Sequence, residues 1–149
     1  MLQEKLIVDE ARAVAARPLE LAVIIPTFNE AANVRPLLDK LAIALANYHW
    51  EAIFVDDNSP DGTSDLVRDI GRHDVHVRIV QRIGRRGLSS AVVEGMLATS
   101  APVLAVIDGD MQHDEMILPR LVCEIEEGRA DIAIGTRYAD GGSVGEWDE

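Results

Sequence analysis

Cysteine, lysine and long apolar runs are scarce in this chain, and each scarcity excludes a class of protein. The 149 residues include one cysteine, Cys123, so no disulfide can form within the chain, and nothing contradicts a reducing cytosol. No apolar run approaches the ~20 residues of a membrane span, and the first residues lack the apolar core of a signal peptide. A domain of this length buries roughly 70% of its unfolded surface, so it needs no covalent staple. We therefore expect a single cytoplasmic domain.

Positive charge is also in short supply, and this limits the partners. The chain has 14 basic and 26 acidic residues, a formal net charge of -12, so we expect no nucleic-acid partner. The glycine motifs of Walker loops, dinucleotide folds and nucleophile elbows are absent. No lysine follows Lys40, which disfavours a phospho-acceptor receiver domain. Residues 27–30 are not the basic glycine-rich loop that a nucleotidyltransferase would need.

Strand-like and helix-like segments alternate along the chain. The predicted strands cover residues 21–25, 52–55, 75–80, 103–107 and 132–134, with helical patterns over residues 34–45, 63–70, 88–99 and 116–127. Continuous apolar strands are typical of a parallel sheet with both faces covered. The predicted fold class is therefore α/β, a mostly parallel sheet with helices on both faces. We expect residues 1–18 to be a lead segment outside one domain of residues 19–149.

Polar residues indicate where the first two helices begin. Asn33 is placed to cap the first helix, with Pro36 in its first turn, where proline is tolerated. Residues 59–62 form a turn signal, and Thr63 is then placed to cap the second helix.

Two aspartates follow the fourth predicted strand and are the main candidates for chemistry. Asp108 and Asp110 flank Gly109, and residues two apart in extended backbone point the same way. The carboxyl ends of parallel strands are where such sheets keep their ligands. Two neighbouring carboxylates favour a hard divalent cation between them. The alternative, an ordinary Asp-Gly-Asp turn, is favoured when the motif is taken alone.

Polar groups after the other strands shift the balance towards a site. Of the adjacent Asp56 and Asp57 we expect one to be structural and one functional, because neighbours point to opposite faces. Phe28 could flank a nucleobase and Glu30 could accept a hydrogen bond from it, although a helix start with an aromatic plug explains both. Other candidates are an arginine cluster on a glycine-rich loop, suited to phosphate or simply solvated, and two residues near the aspartates: Arg82, Arg85, Arg86, Gln112 and His113.

Five motifs in order resemble those of the family 2 inverting glycosyltransferases. They are residues 23–30, residues 55–63, residues 87–91, residues 107–113 and residues 135–138. Their details are closest to the polyprenyl-phosphate (dolichol-phosphate) mannosyltransferases. The resemblance implies a Rossmann-like nucleotide-diphospho-sugar transferase fold of the glycosyltransferase A type. It also implies transfer of mannose from GDP-mannose to polyprenyl phosphate at a membrane surface, with the enzyme peripheral at the cytoplasmic face.

The same resemblance assigns the site. The residues implied to bind the nucleotide sugar are Pro26, Phe28, Glu30, Val55, Asp57, Asp108, Gly109, Asp110 and Arg137. Asp108, Asp110 and Gln112 are implied to ligate Mg²⁺ or Mn²⁺, and Asp108, Asp110 and Arg137 to be catalytic. Phe28 stands where tyrosine is common, and Gly109 where alanine is common, a change that should be benign.

Several alternatives stay open at this point. The donor could be UDP-glucose, and the chain could bind a nucleotide sugar without catalysing transfer. Family members continue well past the position of Trp147, so the resemblance implies a truncated chain in which the donor half is present and most of the acceptor half is absent. The oligomeric state is undetermined, a homo-oligomer included.

Overall fold

Four apolar segments form one parallel sheet in the computed structural model, which describes residues 17–136. The strands are β1 Leu21–Thr27, β2 Trp50–Asp56, β3 Val77–Gln81 and β4 Val103–Val106, in the spatial order β3-β2-β1-β4. All three strand pairs are parallel. The two central strands are buried along almost their whole length, which explains why their sequences are mostly apolar.

Helices cover both faces of this sheet, and strand alternation decides which residues meet them. The helices are α1 Ala31–Ala44, α2 Thr63–Gly71, α3 Leu88–Leu97 and α4 Leu118–Glu126, the last preceded by a 3₁₀ turn, Glu115–Ile117. Alternate residues of β1 contact α1, α2 and α4 in the larger core, and the others contact α3 in a smaller one. No helix within residues 17–136 combines the length and apolarity that crossing a bilayer requires. The predicted two-sided α/β architecture is confirmed.

Strand order sets the position of any ligand site. The chain runs from β1 outward to β2 and β3, then crosses back over the opposite face through α3 to place β4 on the other side of β1. The strand order therefore reverses between β1 and β4, which are neighbours in the sheet but not consecutive strands of the chain. In doubly wound sheets this point is where a crevice opens for ligands.

The predicted fifth strand, residues 132–134, is not a strand in the structure. Ile132 and Ile134 are 78% and 80% exposed, and no strand of residues 17–136 pairs with them. A three-residue apolar segment does not form a strand by itself, because a strand needs a hydrogen-bonded neighbour and a covering layer.

The two predicted helix caps are also wrong, because contacts between the turn after β2 and the start of α1 replace the local caps. Helix α1 begins at Ala31, so Asn33 lies inside its first turn and Pro36 in its second. Helix α2 is capped by Gly62 in a left-handed conformation (φ 87°), not by Thr63. The hydroxyl of Thr63 instead accepts the Glu30 backbone amide (3.1 Å), so the turn after β2 secures the start of α1 through long-range contacts.

Several predictions concern residues outside 17–136. These are most of the lead segment, residues 1–16, and the proposed site residue Arg137 together with Tyr138.

Candidate functional site at the carboxyl ends of the strands

The loop after β4 packs directly against the loop after β1. A Cβ atom added to Gly109 would lie 3.1 Å from Cγ2 of Thr27 and 3.6 Å from Cγ of Glu30. Gly109 is buried, whereas Asp108 and Asp110 on either side are exposed. The absence of a side chain at Gly109 thus lets the two loops meet at the crevice position while both carboxylates face outward.

Local hydrogen bonds shape the two carboxylates and leave part of each available. Oδ1 of Asp110 accepts the Gln112 backbone amide (3.0 Å), across a left-handed Met111 (φ 66°). Oδ2 of Asp108 lies 3.1 Å from Nε2 of His113, which the sequence offered as a ligand or a neighbouring group. The other oxygen of each aspartate has no hydrogen-bond donor within residues 17–136.

These side chains offer the oxygen donors that Mg²⁺ and Mn²⁺ prefer. Asp108, Asp110 and Gln112 are all exposed on one short loop, so the donor set fits such a cation. Within the described part of the chain, no group of three or more His, Cys, Asp or Glu side chains is arranged as a metal site. A cation here would therefore take its remaining ligands from water or a bound diphosphate, as Mg²⁺ commonly does.

The loop after β1 presents an aromatic ring to the same crevice. Phe28 is 42% exposed, and the guanidinium carbon of Arg86 lies 4.5 Å from the centre of its ring. This is a cation–π contact between the loops that follow β1 and β3. Pro26 is half-buried in β1, and the half-buried Glu30 carboxylate accepts the Asn33 side-chain amide (2.5 Å).

The adjacent aspartates at the end of β2 are instead engaged by hydrogen bonds from the protein. Asp56 is fully buried, and its carboxylate accepts hydrogen bonds from the Ser59 amide (2.9 Å) and three hydroxyls, those of Thr27, Ser59 and Ser64. Asp57 is 9% exposed; Oδ1 accepts from Arg82 Nε (2.6 Å) and Oδ2 from the Gly87 amide (2.9 Å). Asp56 is thus the structural member of the pair, and Asp57 lines the crevice with most of its bonding capacity used.

The three arginines of the following loop have different environments. Arg82 is completely buried and cannot reach a ligand. Arg85 is exposed and forms a two-pronged pair with Glu94 (2.8 and 2.6 Å), which raises the pKa of Arg85 and lowers that of Glu94. Arg86 has no carboxylate partner within residues 17–136. An open cleft of about 390 Å³ lies between this loop and the end of β2, lined by Asp57, Asn58, Gly84, Arg85 and Arg86.

The structure therefore brings most of the predicted site residues to one rim of the sheet. The exception among the described residues is Val55, which is fully buried and touches α3 near Gly95, beneath the site rather than on its surface. Sequence reasoning missed the separate role of Arg82. Its one available signal was that Ser90 and Glu94 are four residues apart, and so lie on one face of the helix that follows.

Comparisons with known proteins agree with this geometry. The family model "Glycosyl transferase family 2" matches residues 22–149. The dolichol-phosphate mannosyltransferase of Pyrococcus furiosus is 39% identical over 129 residues, which cover 87% of this chain and 36% of that protein. The chain thus spans about a third of the length of this relative.

Solved structures resemble the fold itself. The mannosyltransferase PcManGT from Pyrobaculum calidifontis, solved with GDP-Man and Mn²⁺, has a TM-score of 0.53 at 24% identity and covers 70% of this chain and 34% of its own. Glucosyl-3-phosphoglycerate synthase from Mycobacterium tuberculosis, solved with Mn²⁺, UDP and glucosyl-3-phosphoglycerate, has a TM-score of 0.57 at 25% identity, covering 76% and 41%. The predicted glycosyltransferase A-type fold is confirmed.

Proposed function

Because the chain belongs to glycosyl transferase family 2, we propose that it is the donor-binding part of an inverting mannosyltransferase. The donor is GDP-mannose and the acceptor is a polyprenyl phosphate. One observation carries the proposal: the loop of Asp108 and Asp110 packs on the loop of Phe28 and Glu30 at the switch point of the sheet. The proposal assigns the two carboxylates to a cation and the aromatic ring to a base.

The proposal gives each group a role. Phe28 stacks on the base, with Arg86 on the same side of the crevice, and Glu30 accepts hydrogen bonds from the base or ribose. Asp108, Asp110 and Gln112 would hold Mg²⁺ or Mn²⁺. That cation, when bound, supplies the positive charge that neutralises the departing diphosphate. By resemblance alone, Arg137 would line the donor site.

The acceptor accounts for the lack of an obvious catalytic base. A phosphate monoester has its second pKa at ~6, so the acceptor oxygen is already ionised near neutral pH. The protein then needs to align this oxygen with the anomeric carbon, opposite the leaving diphosphate, and in-line attack inverts that centre. Because the acceptor is a lipid, the complete enzyme works peripherally at the cytoplasmic face of a membrane.

A second donor has specific support. The mycobacterial neighbour binds UDP with Mn²⁺ and has a slightly higher TM-score than the GDP-mannose enzyme. UDP-glucose is therefore the competing donor. The choice between guanine and uracil depends on the groups around Phe28, which offer a ring and an arginine but no base-specific pair on their own.

Titration calorimetry with GDP, UDP and Mn²⁺ tests the proposal on this chain. We expect GDP to bind more tightly than UDP and to require Mn²⁺. Asp110→Ala should weaken nucleotide binding in Mn²⁺ by about 100-fold, the upper range for loss of a metal-site group, while the melting temperature stays within 2 °C or so. Asp39→Ala, which removes an exposed carboxylate on α1, is the matched control and should change neither. Equal affinity in Asp110→Ala and the unaltered chain would reject the metal role.

Binding and transfer are separate questions for this chain. It spans about a third of the P. furiosus relative, so we expect it to bind the donor but to transfer mannose to a prenyl phosphate slowly or not at all. A radiolabelled transfer assay measures this directly. Fast turnover by the 149-residue chain alone would contradict that expectation and show that the acceptor site is also complete.

A further inference from the structure

Arg82 is a fully buried arginine at the edge of the candidate site. It is the residue directly after β3, and its backbone amide continues the sheet ladder to the Asp56 carbonyl (2.8 Å). Its side chain has no exposed surface, although a guanidinium is among the costliest groups to remove from water. A cation in such a place must have close partners, and these indicate what it holds together.

The partners of Arg82 come from two other elements. Nε and Nη2 contact Oδ1 of Asp57 at the end of β2 (2.6 and 2.5 Å). Nη1 donates to the Ser90 hydroxyl (2.7 Å) and reaches Glu94 (3.3 Å), both on the first two turns of α3. Nη2 also donates to the Gly87 carbonyl (2.8 Å). The planar fork of one guanidinium thus joins β2 to the start of α3.

The loop between Arg82 and α3 depends on this cluster for its position. Residues 83–86 make no backbone–backbone hydrogen bond to the rest of the described chain. Gly84 and Gly87 have positive φ angles (76° and 131°), and residues 83–87 are all exposed. The loop is instead fixed at its first end by Arg82 and at its second by the bond from the Gly87 amide to Asp57. Between them, only the side-chain pair of Arg85 with Glu94 ties it to α3 within the described residues.

We propose that Arg82 is a positioning residue for the nucleotide crevice. It touches no ligand, but it holds the ends of loop 83–87 so that Arg86 stays over the ring of Phe28 and the loop forms one wall of the cleft. Asp57 then acts mainly through Arg82 and Gly87. This inference rests on the proposed function, because the crevice is taken to receive a nucleotide. Pre-positioning of a binding loop increases affinity, since less ordering remains to be paid on binding.

Arg82→Lys tests the inference because lysine keeps the charge but has a single ammonium in place of the fork. The first readout needs no ligand. Protons of Arg86 held over an aromatic ring are shifted upfield in NMR spectra, and we expect Arg82→Lys to lose that shift. Phe28→Leu calibrates the complete loss. Arg129→Lys, an exposed arginine paired with Glu124, is the matched control and should preserve it.

The second readout is the Kd of GDP in the presence of Mn²⁺. We expect it to rise about tenfold in Arg82→Lys, as preorganisation is lost, and to stay constant in Arg129→Lys. If Arg82→Lys does not fold, Ser90→Ala decides the matter, because it removes one Arg82 contact and should give a partial loss of the Arg86 shift.

The outcomes separate the two proposals. A lower melting temperature with an unchanged Arg86 shift and unchanged Kd would make Arg82 a purely structural residue and overturn the inference. If the unaltered chain binds no nucleoside diphosphate, the proposed function fails, while the Arg86 shift still shows whether Arg82 positions the loop.

Discussion

Two pairs of aspartates stand at the carboxyl ends of β2 and β4, the two strands that flank β1, and the protein treats them in opposite ways. Asp56 and Asp57, at the end of β2, are buried or nearly so and accept hydrogen bonds from the protein itself. Asp108 and Asp110, after β4, are exposed, and each keeps an oxygen without a donor in residues 17–136. The difference teaches that an acidic pair at a strand end indicates a ligand site only when the protein has left its oxygens available.

Spacing explains part of this contrast. Adjacent residues point to opposite sides of a strand, so one of the first pair must enter the structure. Asp56 turns inward to bind the turn of residues 59–64, and Asp57 turns towards Arg82. In the second pair a buried glycine separates the two aspartates, so the backbone between them packs against Thr27 and both side chains stay outside.

The largest expected effect is on stability, from truncating the inward aspartate. Asp56→Ala should reduce the free energy of unfolding by about 3 kcal/mol or more, because it strands several buried donors at once. Asp56→Asn should recover part of this loss, since the hydroxyls of Thr27 and Ser59 can rotate to accept from the amide. Asp108→Ala, in the open pair, should change stability by less than about 0.5 kcal/mol. Urea denaturation measures all three variants.

The distinction between the two aspartate pairs fails if their variants lose similar amounts of stability. Similar losses for Asp56→Ala and Asp108→Ala would mean that the loop after β4 is as firmly tied into the fold as the turn after β2. Asp108 and Asp110 could then no longer be distinguished from Asp56 and Asp57 as the pair available to a ligand.

A smaller effect tests how tightly the backbone between Asp108 and Asp110 is packed. In Gly109→Ala the new Cβ would meet Thr27 Cγ2 at 3.1 Å, which a small shift can relieve, so we expect a cost of about 1 kcal/mol or less. Gly95→Ala gives the scale: its Cβ would lie 2.4 Å from Ile24 and 2.9 Å from Val55 in the core, so it should cost about 2–3 kcal/mol. Equal costs would show that the β4 loop has no room to adjust.

The sequence predicted the sheet far better than the details of its rim. Apolar runs identified the four strands, and most clearly the two central ones, because burial on both faces leaves few polar positions there. The ordered motifs identified the family. Long-range contacts were not predictable. Helix α1 begins at Ala31 because its amide bonds to Asp61, thirty residues away, and nothing local to Asn33 signals this.

The three arginines make the same point for the site. As a sequence they are one basic cluster, yet Arg82 is buried, Arg85 is paired and Arg86 lies on an aromatic ring. Only the packing of α3 against the end of β2 separates these roles. Residue type alone could therefore suggest phosphate binding for all three, but could not distinguish a ligand-facing arginine from one that holds the loop.

An effect of similar size sharpens the contrast through pH, using the turn after β2. Burial tends to raise the pKa of Asp61, but hydrogen bonds from the Thr63 hydroxyl and from the amides of Ala31 and Thr63 outweigh it, so the pKa lies below its ordinary value. A lowered pKa in the folded state contributes stability that is fully present above the unfolded pKa, roughly 3.9. This contribution is lost as the pH falls through the folded pKa.

Asp61→Asn should therefore cost about 1 kcal/mol at pH 7, because the side-chain amide has one acceptor oxygen where the carboxylate has two, and the amide of Ala31 or of Thr63 loses its partner. The difference in the free energy of unfolding between this variant and the unaltered chain should become smaller as the pH falls below ~4. Urea denaturation between pH 7 and pH 3 measures this difference. Asp65→Asn, an exposed carboxylate in the same region, controls for the general loss of charge. If that difference stays constant down to pH 3, the hydrogen bonds to Asp61 do not depend on its charge, and its ionisation does not stabilise the turn after β2.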